Sequence, residues 1–554
     1  MARHGSHLAA LAVFALAVAA AGCGADPDSV GAAAPGGSGG SGGAGGSGGV
    51  GGAGGAGGAG GTAGAGGIGG AGGIGGAGGA GGAGGSGGGG GEGPCGGNFC
   101  PEDRPHCTPA LTCSACETGS CGGAHLGTFG LSGGDAPGAL ASTADTLVLG
   151  GGIDGTIDLG GGALDGDTAP RGLLRYADLY LGELRLDGTH QASVALDSGA
   201  GARIAEILAG GAGERFVRGH FFDSLELSGG VTLVESSPTT SPSHWVAFFE
   251  STGPIWWRTV EASTGSIVDA ALLPGGDVML AGQLHPRDTL DLGGTSLECS
   301  SANTCAWLAR FGADGTLAWA QLLPTGQVIN LAATPDGGIV LYGELKGTVD
   351  FGGGPLRLES SYAAYVVRLD GAGEHVWSRR YPEPGSTSVL PRAPGLVLAP
   401  DGGYFFHADC SGAITFPGGG SYVAEGHLDD CLFRFDADGL FAGALEFPRS
   451  SGFALRGIAL DPWGQAVIAG DFDAALDLGA GPLVPARREG LLIRTDAGLA
   501  PFQTLRLAGP GTVQLSALSV TPGGEIVASG SSSAGVELPD ASAAAGVFVT
   551  RIAP

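Results

Sequence analysis

The chain has 554 residues, 117 of them glycine, and 53 Asp+Glu stand against 25 Lys+Arg for a formal net charge of −28. That acidic balance argues against a nucleic-acid partner, whose phosphates need a basic footprint. It favours solubility and leaves neutral or cation-rich partners such as glycans.

In chain order, the first feature is an export signal over residues 1–22. Arg3, His4 and His7 give a short basic start, and Leu8–Ala21 is an unbroken apolar run of 14 residues. A bilayer span needs about 20 residues, so this run has the length of a signal-peptide core. It ends in Ala20-Ala21-Gly22-Cys23. Small residues directly before a Cys resemble the bacterial lipobox, with Ala20 in place of the usual Leu. The resemblance implies that Cys23 is acylated and becomes the mature N-terminus, anchoring the chain to a membrane. Gly24 and Ala25 are not the acidic pair of inner-membrane retention, so the resemblance points to the outer membrane or cell surface. The alternative is ordinary cleavage near Ala21, with Cys23 incidental.

Residues 23–91 read as a lipid-anchored, disordered linker. Positions 36–91 hold only Gly, Ala, Ser, Val50, Thr62, Ile68 and Ile74. Nothing there can build a core, and a coil of that length spans roughly 40 Å.

Residues 92–124 form a Cys-rich segment containing Cys95, Cys100, Cys107, Cys113, Cys116 and Cys121. It is too small to bury a core and depends on disulfides, whose pairing the sequence leaves open. Cys113 and Cys116 make one CxxC, but a zinc ribbon needs a second. With Cys299, Cys305, Cys410 and Cys431, ten Cys remain once Cys23 is set aside. An even count in an exported chain suits five disulfides. Spacing pairs Cys299 with Cys305 and Cys410 with Cys431.

From His125 to the end the signal is repetition. A β-branched or aromatic run closes on a small residue at Gly150, Gly219, Gly282, Gly343, Ala408, Gly470 and Gly530, at intervals of 69, 63, 61, 65, 62 and 60 residues. Pro-Gly turns such as Pro335-Asp336-Gly337-Gly338 precede it; Pro sets the first turn dihedral and Gly accepts positive φ. A short strand ending in Gly follows, as in Gly347–Gly354 (GTVDFGGG). An alternating run, a turn and a strand often holding Trp complete the unit. Alternation bounded by turn residues means strands, and no helical period occurs.

Four strands in each of seven units predict an all-β, seven-bladed β-propeller over 125–554. A β-solenoid has shorter repeats, and separate sandwiches need longer ones. The chain stops on what matches the third strand of a blade, and His125–Leu131 is expected to supply the fourth and close the ring. Asp314-Gly315…Trp319 and Asp370…Gly373…Trp377 resemble the blade-closing phrase of quinoprotein-type and related bacterial propeller repeats. The resemblance implies the fold and carries no active site.

The Asp of the Gly-rich phrase recurs at Asp158, Asp291, Asp350 and Asp477, with Glu226, Glu537 and Thr415 in equivalent places. Such recurrence suits a structural task, bonding turn amides. The sharper alternative is a cation-binding ring of carboxylates. Asp436-Ala437-Asp438-Gly439 lacks the later ligands of a calcium loop and reads as a turn. Neither HExxH nor a phosphate loop occurs, and the GxSxG match at Gly36–Gly40 lies in the linker. His244, His375 and His407 stand alone in or beside strands. Trp256-Trp257 suits blade packing, with sugar stacking as the alternative. No catalytic residue, metal site or cofactor is expected. The reading is therefore a monomeric surface lipoprotein that binds or scaffolds an extracellular protein or glycan. The alternative is a polysaccharide hydrolase or lyase with carboxylates from different blades.

Overall fold

The computed structural model describes His125–Leu131 and residues 137–554, except 154, 167–177, 210–214, 228–229, 236–240, 251–252, 262, 325–326, 360–361 and 539–540. The expected acylation at Cys23, the linker and the Cys-rich segment lie outside the described residues.

Seven four-stranded antiparallel sheets form a seven-bladed propeller. Blades 1 to 6 cover 139–196, 202–260, 265–322, 330–381, 389–447 and 454–507; blade 7 covers 513–552 and adds the N-terminal strand. His125–Leu131 pairs with Gly546–Ile552 as the outermost strand of blade 7, as expected. The ring is thus closed by hydrogen bonds between the two ends of the described chain.

The repeated phrase is the second strand of each blade. The innermost strand is the run before the Pro-Gly turn, such as Gly265–Leu272 in blade 3. The short Gly-rich strand is not a blade strand. In blade 4, Thr348–Asp350 pairs with Pro355–Arg357 as a separate outer hairpin. Blade 5 instead continues its two middle strands, Tyr404–Thr415 and Ser421–Phe435, into one long hairpin. The Gly run therefore marks this excursion.

The small residue closing the phrase has a steric cause. A Cβ on Gly282 would stand 2.3 Å from the Trp307 indole, and one on Gly219 would stand 2.6 Å from that of Trp245. These aromatic side chains come from the neighbouring third strand and are fully buried. Each removes roughly 150–250 Å² from water, so the missing Cβ is repaid in packing.

Blades are joined by the outermost strand of one and the turn of the next. Trp256 Nε1 donates to the Ala313 carbonyl at 3.1 Å, and Trp319 Nε1 donates to that of Gly371 at 3.1 Å. Phe129 of the closing strand lies against Gly188 of blade 1. A second recurrent device ties the third strand to the acid of the inner turn: Arg310–Asp277 at 2.7 Å, Arg368–Asp336 at 2.6 Å and Arg494–Asp461 at 3.3 Å.

Candidate functional site in the central channel

The singled-out residues fall mostly on the periphery. Asp158, Asp291, Asp350 and Asp477 are exposed on separate outer hairpins. Each accepts from amides of its own Gly run, as when Asp350 Oδ1 takes Gly352 N at 2.8 Å and Gly354 N at 3.0 Å. They stabilise turns, and as many separate hairpins they do not converge on one ion. Asp436 Oδ1 takes Leu440 N at 2.8 Å in a hairpin turn.

Trp256 is buried and stacks on Phe311, whereas Trp257 is partly exposed. The His375 ring covers Gly353, where a Cβ would come within 2.3 Å. His407 is buried, with Nε2 3.1 Å from Asp430. Cys299 is joined to Cys305 and Cys410 to Cys431, with Cα atoms 5.7 and 5.9 Å apart.

The groups brought together lie on the axis. The innermost strands enclose a cavity of about 450 Å³. Pairing with the second strand assigns each lining residue to a tier. One residue before the phrase-final Gly, the tier holds Glu206, Asp269 and Asn330 on blades 2, 3 and 4. Blades 1, 6 and 7 place Leu140, Gly457 and Ala517 there. Blade 5 bulges out of register between Pro391 and Leu396. At this register position the polar residues are thus those of blades 2, 3 and 4. Two tiers nearer the inner turns the wall is largely apolar, and the Ser142 and Ser519 hydroxyls bond each other at 2.6 Å.

The polar sector is a chain of contacts across four blades. Arg218 Nε donates to Glu206 Oε2 at 2.8 Å, and its Nη2 lies 3.4 Å from Asp269 Oδ1. The other Asp269 oxygen accepts from Leu331 N at 2.7 Å and from the Asn330 side-chain amide. Asn330 Oδ1 in turn accepts from Gly395 N at 2.8 Å and Leu396 N at 2.6 Å, in blade 5.

Burial of these groups sets their protonation. Desolvation and the Asp269 charge push Glu206 up to about 8, against the pull of Arg218. Desolvation also raises Asp269. Two like charges side by side in a buried site disfavour double ionisation, so the pair holds one proton near neutrality. Beside them, His220 and His244 stack edge-on with centroids 4.5 Å apart. Burial first, then neighbouring positive charge, lowers His244 to about 4 and His220 well below its ordinary value.

Beside this tier, in the bulges of the innermost strands of blades 5 and 6, Arg392 Nε donates to Asp409 at 2.9 Å and Arg456 Nε to Asp471 at 2.6 Å. Arg488 also reaches Asp471, at 2.9 Å.

The sequence reading did not single out Glu206, Arg218, Asp269 or Asn330. A signal was present: Glu206 and Asp269 interrupt the apolar runs of Ala202–Ala209 (ARIAEILA) and Gly265–Leu272 (GSIVDAAL). An isolated charge in a fully buried strand requires a partner.

No family model matches the chain, and no curated protein matches it. Among solved structures it is similar to the Dos1 propeller, at 9% identity and TM-score 0.37, covering 77% of this chain and 94% of that one. It is also similar to a puromycin hydrolase, at 13% identity and TM-score 0.35, covering 74% of this chain and 60% of that one. A third is the Kuenenia stuttgartiensis hydrazine synthase, at 14% identity and TM-score 0.24, covering 49% of this chain and 78% of that one. With similarities this low, the fold rests on the strand order itself.

Proposed function

We propose that the chain is an exported lipoprotein, anchored through Cys23 to the outer membrane or cell surface, whose propeller binds a protein or glycan without transforming it. The Gly-rich linker gives the propeller reach from the lipid surface. The observation that carries the binding reading is the channel sector: Glu206, Arg218, Asp269 and Asn330 are fixed by one another and by amides of the next blades. Such groups are preorganised at the wall of a cavity, which favours recognition.

The test is capture from the producing cell's envelope and secreted polymers. The bait is the chain without residues 1–22, with Cys23→Ser removing the lipid. A discrete partner recovered intact supports the proposal; recovery of nothing above a mutant with a filled channel refutes it.

One observation favours the second reading, a polysaccharide hydrolase or lyase. Glu206 and Asp269 are two buried carboxyls on neighbouring blades held at one Arg218 on the wall of a cavity, the residue types that acid–base chemistry on a glycosidic bond uses. Under that reading the captured polymer is shortened, and Glu206→Gln abolishes the shortening.

A further inference from the structure

The channel cavity is apolar towards one end and polar towards the other. Its walls towards the inner turns are aliphatic, with Leu208, Leu272, Val397 and Leu460 among them. At its polar end, among the described residues, Glu206 and Asp269 are ion-paired to one cation, Arg218. The cavity therefore offers apolar length and, at one end, acceptors.

We infer that this cavity takes an aliphatic primary ammonium group, the nitrogen lying at Glu206 and Asp269 and the methylenes along the aliphatic walls. This rests on the binding reading and names its ligand chemistry. A lysine side chain of a protein partner and a free alkylamine share that chemistry. A bare cation would leave the aliphatic wall unused, and a neutral alcohol would draw no proton from the carboxyl pair.

Charge accounting supports the same occupant. With one proton on the pair, the remaining carboxylate and Arg218 cancel. An arriving ammonium makes that proton superfluous, and its release to solvent leaves two carboxylates against two cations. The charged and titratable groups nearby are Arg218 and Asp269, Arg203, His220 and His244 on the adjoining strand segments, and the self-paired Arg392–Asp409 and Arg456–Asp471 in the inner-strand bulges of blades 5 and 6. Both histidines stay neutral near pH 7, so the released proton comes from the carboxyl pair.

The test is calorimetric titration with pentylammonium, with 1-pentanol as the uncharged counterpart, in two buffers of different ionisation enthalpy. A lysine-bearing peptide and its acetyl-lysine form make the second arm. The expected result is that wild type binds pentylammonium and releases protons near pH 7, while pentanol and acetyl-lysine peptide bind at least about tenfold more weakly. Glu206→Gln loses the proton release and about tenfold in affinity, and Ala332→Phe, which fills the cavity, loses binding. Asp350→Asn on an outer hairpin binds as wild type. Binding of the peptide alone supports the inference and assigns the ammonium to a protein partner. Equal binding of pentanol overturns it, as does calcium competing with the same proton release, or unchanged binding in both channel variants. Envelope capture that neither pentylammonium nor the lysine-bearing peptide competes sinks this inference and leaves the binding reading standing. Pentylammonium binding without envelope capture does the reverse.

Discussion

The side-chain amide of Asn330 donates to the carboxylate of Asp269 across the boundary between blades 4 and 3, while its oxygen holds two amides of blade 5. One residue thus connects three blades at the axis. Asn330→Ala strands the amides of Gly395 and Leu396 and removes one of the donors to Asp269. Each buried orphan costs about 1–3 kcal/mol, so a loss of several kcal/mol is expected. Denaturant unfolding monitored by tryptophan fluorescence measures it. A loss below about 0.5 kcal/mol, the scale of an ordinary surface change, would show that the contact does not hold the ring.

Stability should depend on pH in two opposed ways. Unfolded Glu206 loses its proton near 4.5, whereas the folded group keeps it to about 8. The folded state therefore binds the extra proton, and its stability is full below 4.5 and falls as pH rises through that window. His244 is lowered from 6.5 to about 4, so its contribution is present above 6.5 and lost as pH falls towards 4. A thermal midpoint measured from pH of about 4 to about 9 should pass through a maximum. Glu206→Gln should lessen the alkaline fall and His244→Gln the acid fall, with Asp269 and His220 keeping a share of each. Profiles that differ only by a constant offset would contradict both assignments.

The third-strand arginines offer a comparison at one register position. Arg494 and Asp461 have side-chain exposures of 3% and 0%, whereas Arg368 and Asp336 have 33% and 61%. Arg494→Ala leaves a buried carboxylate and should cost about 3–5 kcal/mol. Arg368→Ala should cost about 1 kcal/mol or less, because solvent screens the pair. Urea midpoints of the two variants decide, and equal losses would contradict the burial argument.

Closure by the N-terminal strand predicts a sharp boundary. Removing residues up to 131 exposes the edge of Gly546–Ile552 and takes Phe129 from Gly188. That deletion should lower the melting midpoint by several degrees or more and promote association through the bared edge. Removing residues only up to 124 should leave it unchanged. Identical midpoints for the two deletions would contradict closure by this strand.

The seven-fold ring was legible because steric need repeats. Gly219 and Gly282 make room for Trp245 and Trp307, so the small residue recurs at a fixed place in the unit. The strand count was legible, but its assignment was not. Thr348–Asp350 has strand composition and a turn on either side, and only pairing shows that it leaves the blade. The channel sector was hidden for another reason. Glu206, Asp269 and Asn330 occupy one position in three of seven units, and their partners lie 12 to 66 residues away. A search for repeats averages such residues out, and a search for motifs has no spacing to find.

The central claim is recognition without chemistry. Its most direct measurement is the mass of the captured envelope partner before and after prolonged incubation with wild type and with Glu206→Gln. The account predicts that the mass stays unchanged with both proteins and that capture is lost only when the channel is filled or its polar end altered. Products that accumulate with wild type and not with Glu206→Gln would contradict it and make Glu206 the acid or base of an enzyme.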